Sequence, residues 1–131
     1  LFELVIAIFV VATLATLGFS HYRGYRERAL DAEAQTNLGA IIGAERDFRR
    51  QSASTFYISA NHALLNANLA GVMLSTAANR PWNYLTRQNA ANNVCCAQAT
   101  RTVAPVRNWR LCTNGNQPVA GTCGAGAGNC P

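Results

Sequence analysis

Residues 1–19 form one apolar stretch interrupted by a single carboxylate, Glu3. About twenty apolar residues in helical conformation span ~30 Å, the thickness of a bilayer core. This stretch predicts a helix that is apolar all round, which must be covered by lipid or by other protein. A simple anchor has no use for Glu3. A carboxylate in hydrocarbon costs on the order of 2.5–3.5 kcal/mol by insertion scales, and such groups usually have a role and a partner. The stretch contains no cation, so the partner is expected on another chain. The stretch does not read as a secretory signal. No basic region opens it, no small-x-small cleavage pattern closes it, and the helical pattern runs through its end.

Residues 21–50 turn polar without a proline. Leu30, Ala34, Leu38, Ile41, Ile42 and Phe48 recur at spacings of three and four, drawing one apolar stripe on a helix. Glu45 falls in that stripe as its one defect. Arg23, Arg26 and Arg28 alternate with Glu27 and Asp31 on the other faces. Gly39 and Gly43 weaken the helix intrinsically, and small residues four apart let a second helix approach closely. The expectation is a single helix from Leu1 to about Arg50. Residues 1–24 form a membrane or filament-core half, and residues 25–50 form an amphipathic half.

Residues 51–131 read as a small globular region with a Cys-rich tail. Ser52 to Thr55 is loop, and His62–Leu74 suits a short helix or an irregular packed stretch. Strands are predicted at Trp82–Thr86, Val94–Ala99, Thr102–Cys112 and, weakly, Pro118–Thr122. Asn114-Gly115 signals a hairpin turn between the last two. The fold class is therefore α+β: a long N-terminal helix packed on a small antiparallel sheet, with a disulfide-stapled loop at the C-terminus.

Charge is unevenly placed. All six acids precede Phe48, and beyond Asp47 the chain has seven arginines, no acid and no lysine. Arg80, Arg87, Arg101, Arg107 and Arg110, with Trp82, Tyr84 and Trp109, are candidates for a surface that contacts anions or stacks on nucleic-acid bases. The competing reading places the tryptophans in the core and leaves the arginines to solubilise it. Along the helix, Phe2, Phe9, Phe19, Tyr22, Tyr25 and Phe48 read as packing residues.

Five cysteines, Cys95, Cys96, Cys112, Cys123 and Cys130, cluster in the last third, which suits disulfides in an oxidising compartment. There is no CxxC, and His21 and His62 lie outside the cluster, so zinc and attached haem are not expected. An odd count leaves one thiol over. Adjacent Cys95 and Cys96 are poorly placed to bridge each other, and the Gly/Ala loop between Cys123 and Cys130 can close easily. Those considerations favour Cys96–Cys112 with Cys123–Cys130. With one histidine and no acid beyond Asp47, no acid–base pair can be assembled in the C-terminal region. No enzyme activity, cofactor or metal is expected.

The segment Leu1-Phe2-Glu3-Leu4-Val5-Ile6-Ala7-Ile8 resembles the N-terminal signature of type IV pilins and pseudopilins. Glu33-Ala34-Gln35-Thr36-Asn37-Leu38-Gly39-Ala40-Ile41 resembles the amphipathic half of their helix, and Tyr22 falls where they commonly carry a tyrosine. The resemblance covers roughly residues 1–57. It implies that Leu1 is the signature leucine, that about two residues including a methylated phenylalanine precede it, and that Glu3 pairs with the N-terminal amine of a neighbouring subunit. Where the family commonly has glycine and proline, this chain has Ala12 and Ser20, leaving Gly18 and Ser20 as the positions of helix flexibility. The positive-inside rule alone would place Arg23, Arg26 and Arg28 in the cytoplasm. The resemblance implies the opposite orientation, driven by a basic leader that is removed.

The functional expectation is a structural pilin. It is anchored in the inner membrane, passed to a pilus assembly machinery, and polymerised with identical subunits into an extracellular type IV pilus for adhesion, motility or DNA uptake. The alternatives are a pseudopilin of a type II secretion system or a minor competence pilin that binds DNA or other anionic surfaces. The acid-free C-terminal half argues against the calcium site that secretion pseudopilins commonly carry.

Overall fold

The computed structural model describes residues 1–52, 55–89 and 94–124, with Ser20 described by its backbone only. Helix α1 covers Phe2–Gln51 and α2 covers His62–Asn68. Four strands follow, β1 (Trp82–Asn89), β2 (Val94–Arg101), β3 (Asn108–Cys112) and β4 (Val119–Ala120). They form one antiparallel sheet in the order β1-β2-β3-β4. The fold is α+β. The chain divides into two compact units, Leu1–Ala32 and Glu33–Pro131.

Within the second unit the helical stripe does what its spacing predicts. Leu30, at the start of the stripe, belongs to the first unit; Ala34, Leu38, Ile41 and Ile42 are buried and Phe48 is half-buried. One sheet face receives them. Strand alternation puts Trp82, Tyr84 and Thr86 of β1 on the same face as Cys95, Ala97, Ala99 and Arg101 of β2 and Leu111 of β3. All of these are buried. Asn37 Nδ2 donates to the Tyr84 hydroxyl at 2.9 Å, tying helix to sheet. Burial and a coulombic push from Glu33 raise that phenol to about 12, the Asn37 bond opposing them. Leu65, Leu69, Val72 and Leu74 close the core from the α2 side.

Local chemistry sets the element ends. Asn61 caps α2, its side-chain oxygen accepting from Ala63 N at 2.9 Å. Asn66 pairs with Leu74 through both backbone groups, at 2.8 and 2.9 Å, and so pins the return segment. β3 begins at Asn108 rather than at the predicted Thr102. Pro105 has no N–H to give a ladder, and residues 102–105 bend instead. The Asn114-Gly115 hairpin expectation also needs correction. Gly115 N donates to Cys112 O, so Thr113 and Asn114 are the central turn residues and Gly115 follows them. Arg46 then clamps this turn by donating to Thr113 O at 2.7 Å.

The opposite sheet face carries Cys96, Gln98 and Thr100 of β2 and Cys112 of β3. Residues after β4 cover it: Cys123 N donates to Gln98 Oε1 at 2.7 Å, and Cys123 is bonded to Cys96. The outer edge of β1 is covered by the segment Tyr57–His62. Thr86 N donates to Ser59 O at 2.8 Å, and Tyr84 N donates to His62 Nε2 at 2.8 Å.

Candidate assembly site

The apolar segment that opens the first unit is helical, and each of its described side chains is exposed. Twelve large apolar side chains lie between Leu1 and Phe19, and the least exposed of them, Val10, is 48% exposed. Full burial of such side chains is worth about 1.5–3 kcal/mol each, so leaving twelve in water costs on the order of 20–35 kcal/mol. That exceeds the ~5–15 kcal/mol that stabilises a typical domain. Lipid or other protein must cover this surface. By length and composition the helix is able to cross a bilayer.

Its polar groups are prepared for such an environment, with one exception. Thr13 Oγ1 donates to Val10 O and Thr16 Oγ1 to Thr13 O, each at 2.8 Å, so both hydroxyls are satisfied inside the helix. Glu3, in the first turn, has no hydrogen-bond or ion-pair partner among the described residues. The helix runs unbroken through Gly18 and Ser20. A Cβ at Gly18 would meet no atom within 4 Å, so this glycine is required by no contact of its own chain.

Glu45, the defect in the amphipathic stripe, is fully buried. Its Oε2 accepts from Tyr57 N at 2.9 Å, which docks the chain leaving α1, while Oε1 has no partner among the described residues. Burial pushes its carboxyl up to about 7, against the opposing pull of the Tyr57 bond. Two carboxylates on apolar helix surfaces thus differ sharply, since among the described residues Glu45 has a donor and Glu3 has none.

The cysteines separate into distinct roles. Cys96 and Cys123 are bonded, with Cα atoms 6.1 Å apart, and this replaces both expected pairings, Cys96–Cys112 and Cys123–Cys130. Cys96 and Cys112 face each other directly in the β2–β3 register. Their Cβ bonds therefore project side by side from one face, whereas Cys123 comes over that face and meets Cys96 from above. Cys112 packs beside this bridge and is itself disulfide-bonded; Cys130 lies outside the described residues. Cys95 is the free thiol, buried on the helix-facing side, and burial with Glu45 nearby raises its pKa far above the usual thiol range.

The five candidate arginines do not make one surface. Arg101 is buried on the helix-facing side of the sheet. Arg110 reaches toward Thr122 O at 3.5 Å, and Arg80 donates to Asn83 and Ala77. Arg87 and Arg107 are exposed. Arg87 stands opposite Cys96, five residues along β2 from Arg101, whose N–H donates to Arg107 O. Five strand residues separate these positions by roughly 17 Å. Trp82 and Tyr84 are core residues, and Trp109 is half-buried. Base stacking by Trp82 or Tyr84 is thereby removed. Among the described residues no group of three or more His, Cys, Asp and Glu side chains is placed to hold a metal.

Sequence reasoning missed the part played by His62 and Glu45. Glu45 was visible as a charge in an apolar stripe. His62 gave no signal, because its partner Tyr84 is 22 residues away.

Together, fold and site define an α+β protein whose N-terminal helix opens on an exposed apolar segment bearing one carboxylate, Glu3. No protein-family model, curated protein or solved structure matches the chain.

Proposed function

We propose that this chain is a pilin-type structural subunit, polymerising through its N-terminal helix into a filament. The observation that carries the reading is Glu3, a carboxylate without a partner among the described residues, set in an exposed apolar segment, residues 1–19, whose two threonines are satisfied internally. Before assembly the apolar segment sits in the inner membrane. On assembly it moves from lipid into a bundle of identical helices. Apolar burial does not drive that transfer, since lipid is already apolar, so packing and charge pairing must. Glu3 pairs with the N-terminal amine of a neighbouring subunit and sets the register between copies, as the resemblance to type IV pilins implies. The acid-free sequence beyond Asp47 favours a pilus over a calcium-dependent secretion pseudopilin.

The test is Glu3→Ala in the native host. The variant should insert in the membrane at wild-type levels, since it loses a charge that lipid disfavours, while surface filaments fall at least tenfold. Wild-type filament yield would defeat the proposal.

A further inference from the structure

The outer edge of β1 is completed by a histidine ring. Along an edge strand alternate N–H groups point away from the sheet, and they must be covered or hydrated. Tyr84 and Thr86 are two such positions. Ser59 O covers Thr86 N, as a neighbouring strand would. At Tyr84 the acceptor is instead His62 Nε2, at 2.8 Å. The other ring nitrogen, Nδ1, lies 3.2 Å from Ser75 O.

These two contacts fix the tautomer. A carbonyl oxygen accepts, so Nδ1 carries the proton; an N–H donates, so Nε2 carries a lone pair. Protonation at Nε2 would set an N–H against the Tyr84 N–H, and the bond would be lost. Among the described residues no acidic group contributes a counter-charge to the imidazolium. Arg80 faces the ring and opposes its charging. On β1 the ring meets Tyr84, with centroids 5.6 Å apart, and that phenol is committed to Asn37 of α1. Protons nevertheless have a route, for a cleft of about 330 Å³ lined by His62, Asn61, Thr76 and Arg80 lies beside it.

We infer that His62 is a proton-operated latch: neutral, it seals the β1 edge and holds the Tyr57–His62 segment on it; protonated, it releases both. The rest of the segment shows how local the release is. Thr86 Oγ1 donates to Tyr57 O and accepts from Ser59 N, each at 2.9 Å, and neither contact titrates. Acid therefore opens the His62 end first. Burial lowers the His62 pKa, with Arg80 reinforcing the shift and the Ser75 contact opposing it. A depressed histidine contributes stability that is present above its unfolded value, about 6.5, and lost as pH falls through the folded value.

The test is ¹⁵N NMR of the full chain in detergent micelles. At pH 7.5 or so, His62 should show a protonated Nδ1 and an unprotonated Nε2. Below about pH 6 the exchange protection of the Tyr84 amide should fall by up to about tenfold per pH unit, while the Leu85 amide, which faces β2, stays protected. His62→Gln keeps an acceptor oxygen without a titration and should remove this pH dependence. A protonated Nε2 at neutral pH, or Tyr84 protection that follows Leu85 down to pH 4, would overturn the latch.

Discussion

Glu3 and Glu45 sit on apolar surfaces of the same helix, and the chain treats them oppositely. Glu45 is fully buried and receives the Tyr57 N–H, so its cost is partly met inside the second unit. Glu3 lies among exposed apolar side chains with no partner among the described residues. A domain that tolerates a buried carboxylate supplies a donor for it. The first unit supplies none, and in the proposed function the donor arrives with the next subunit.

The comparison breaks first at Glu3. Glu3→Ala should leave the thermal unfolding of the second unit unchanged while filaments are lost, whereas Glu45→Ala should lower the unfolding temperature. If both variants unfolded early, or both assembled normally, the two carboxylates would not differ as described.

A smaller effect is expected from the staple over the sheet. Cys96→Ala with Cys123→Ala opens a bridge between residues 27 apart. That should cost the second unit about 2–4 kcal/mol, read as a lower denaturation midpoint. Membrane insertion of residues 1–19 should be untouched. An unchanged midpoint would mean that the loop holds the face without its bridge.

The smallest effect is the pH response of Glu45. Its carboxyl is raised from 4.5 to about 7 by burial. The folded state therefore holds this proton more tightly than the unfolded one. The resulting stability is fully present below about 4.5 and is lost as pH rises through about 7, a difference on the order of 1–3 kcal/mol. Glu45→Gln keeps an acceptor for Tyr57 N and should remove the loss of stability as pH rises through about 7, leaving the opposite-signed His62 contribution below about 6.5. A curve as steep as wild type would assign the titration to another group.

What could be read from the sequence was what depends on neighbours along the chain. The spacing of Ala34, Leu38, Ile41 and Ile42 placed the buried helix face, and the apolar run with Glu3 placed the candidate site. β3 starts at Asn108 and not at Thr102 because Pro105 cannot donate to a ladder, a local signal that the apolar residues on either side obscure. The disulfide depends on which segment comes over the sheet, and nothing between Cys112 and Cys123 encodes that direction. His62 and Glu45 each act on a backbone N–H, Tyr84 and Tyr57, which carries no side-chain signature at all. Arg101 counted as surface until alternation along β2 turned it inward.

Cross-linking native filaments with an apolar carbodiimide tests the central claim most directly. This reagent joins a carboxylate to an amine in contact with it. Residues 1–131 contain no lysine, and sequencing the linked peptide shows whether the amine joined to Glu3 is an N-terminal α-amine. Filaments should yield subunit dimers whose linked peptide contains Glu3, and dispersed monomers in detergent should yield none. Intact filaments in which Glu3 forms no link, while Glu27 or Asp31 does, would contradict the account.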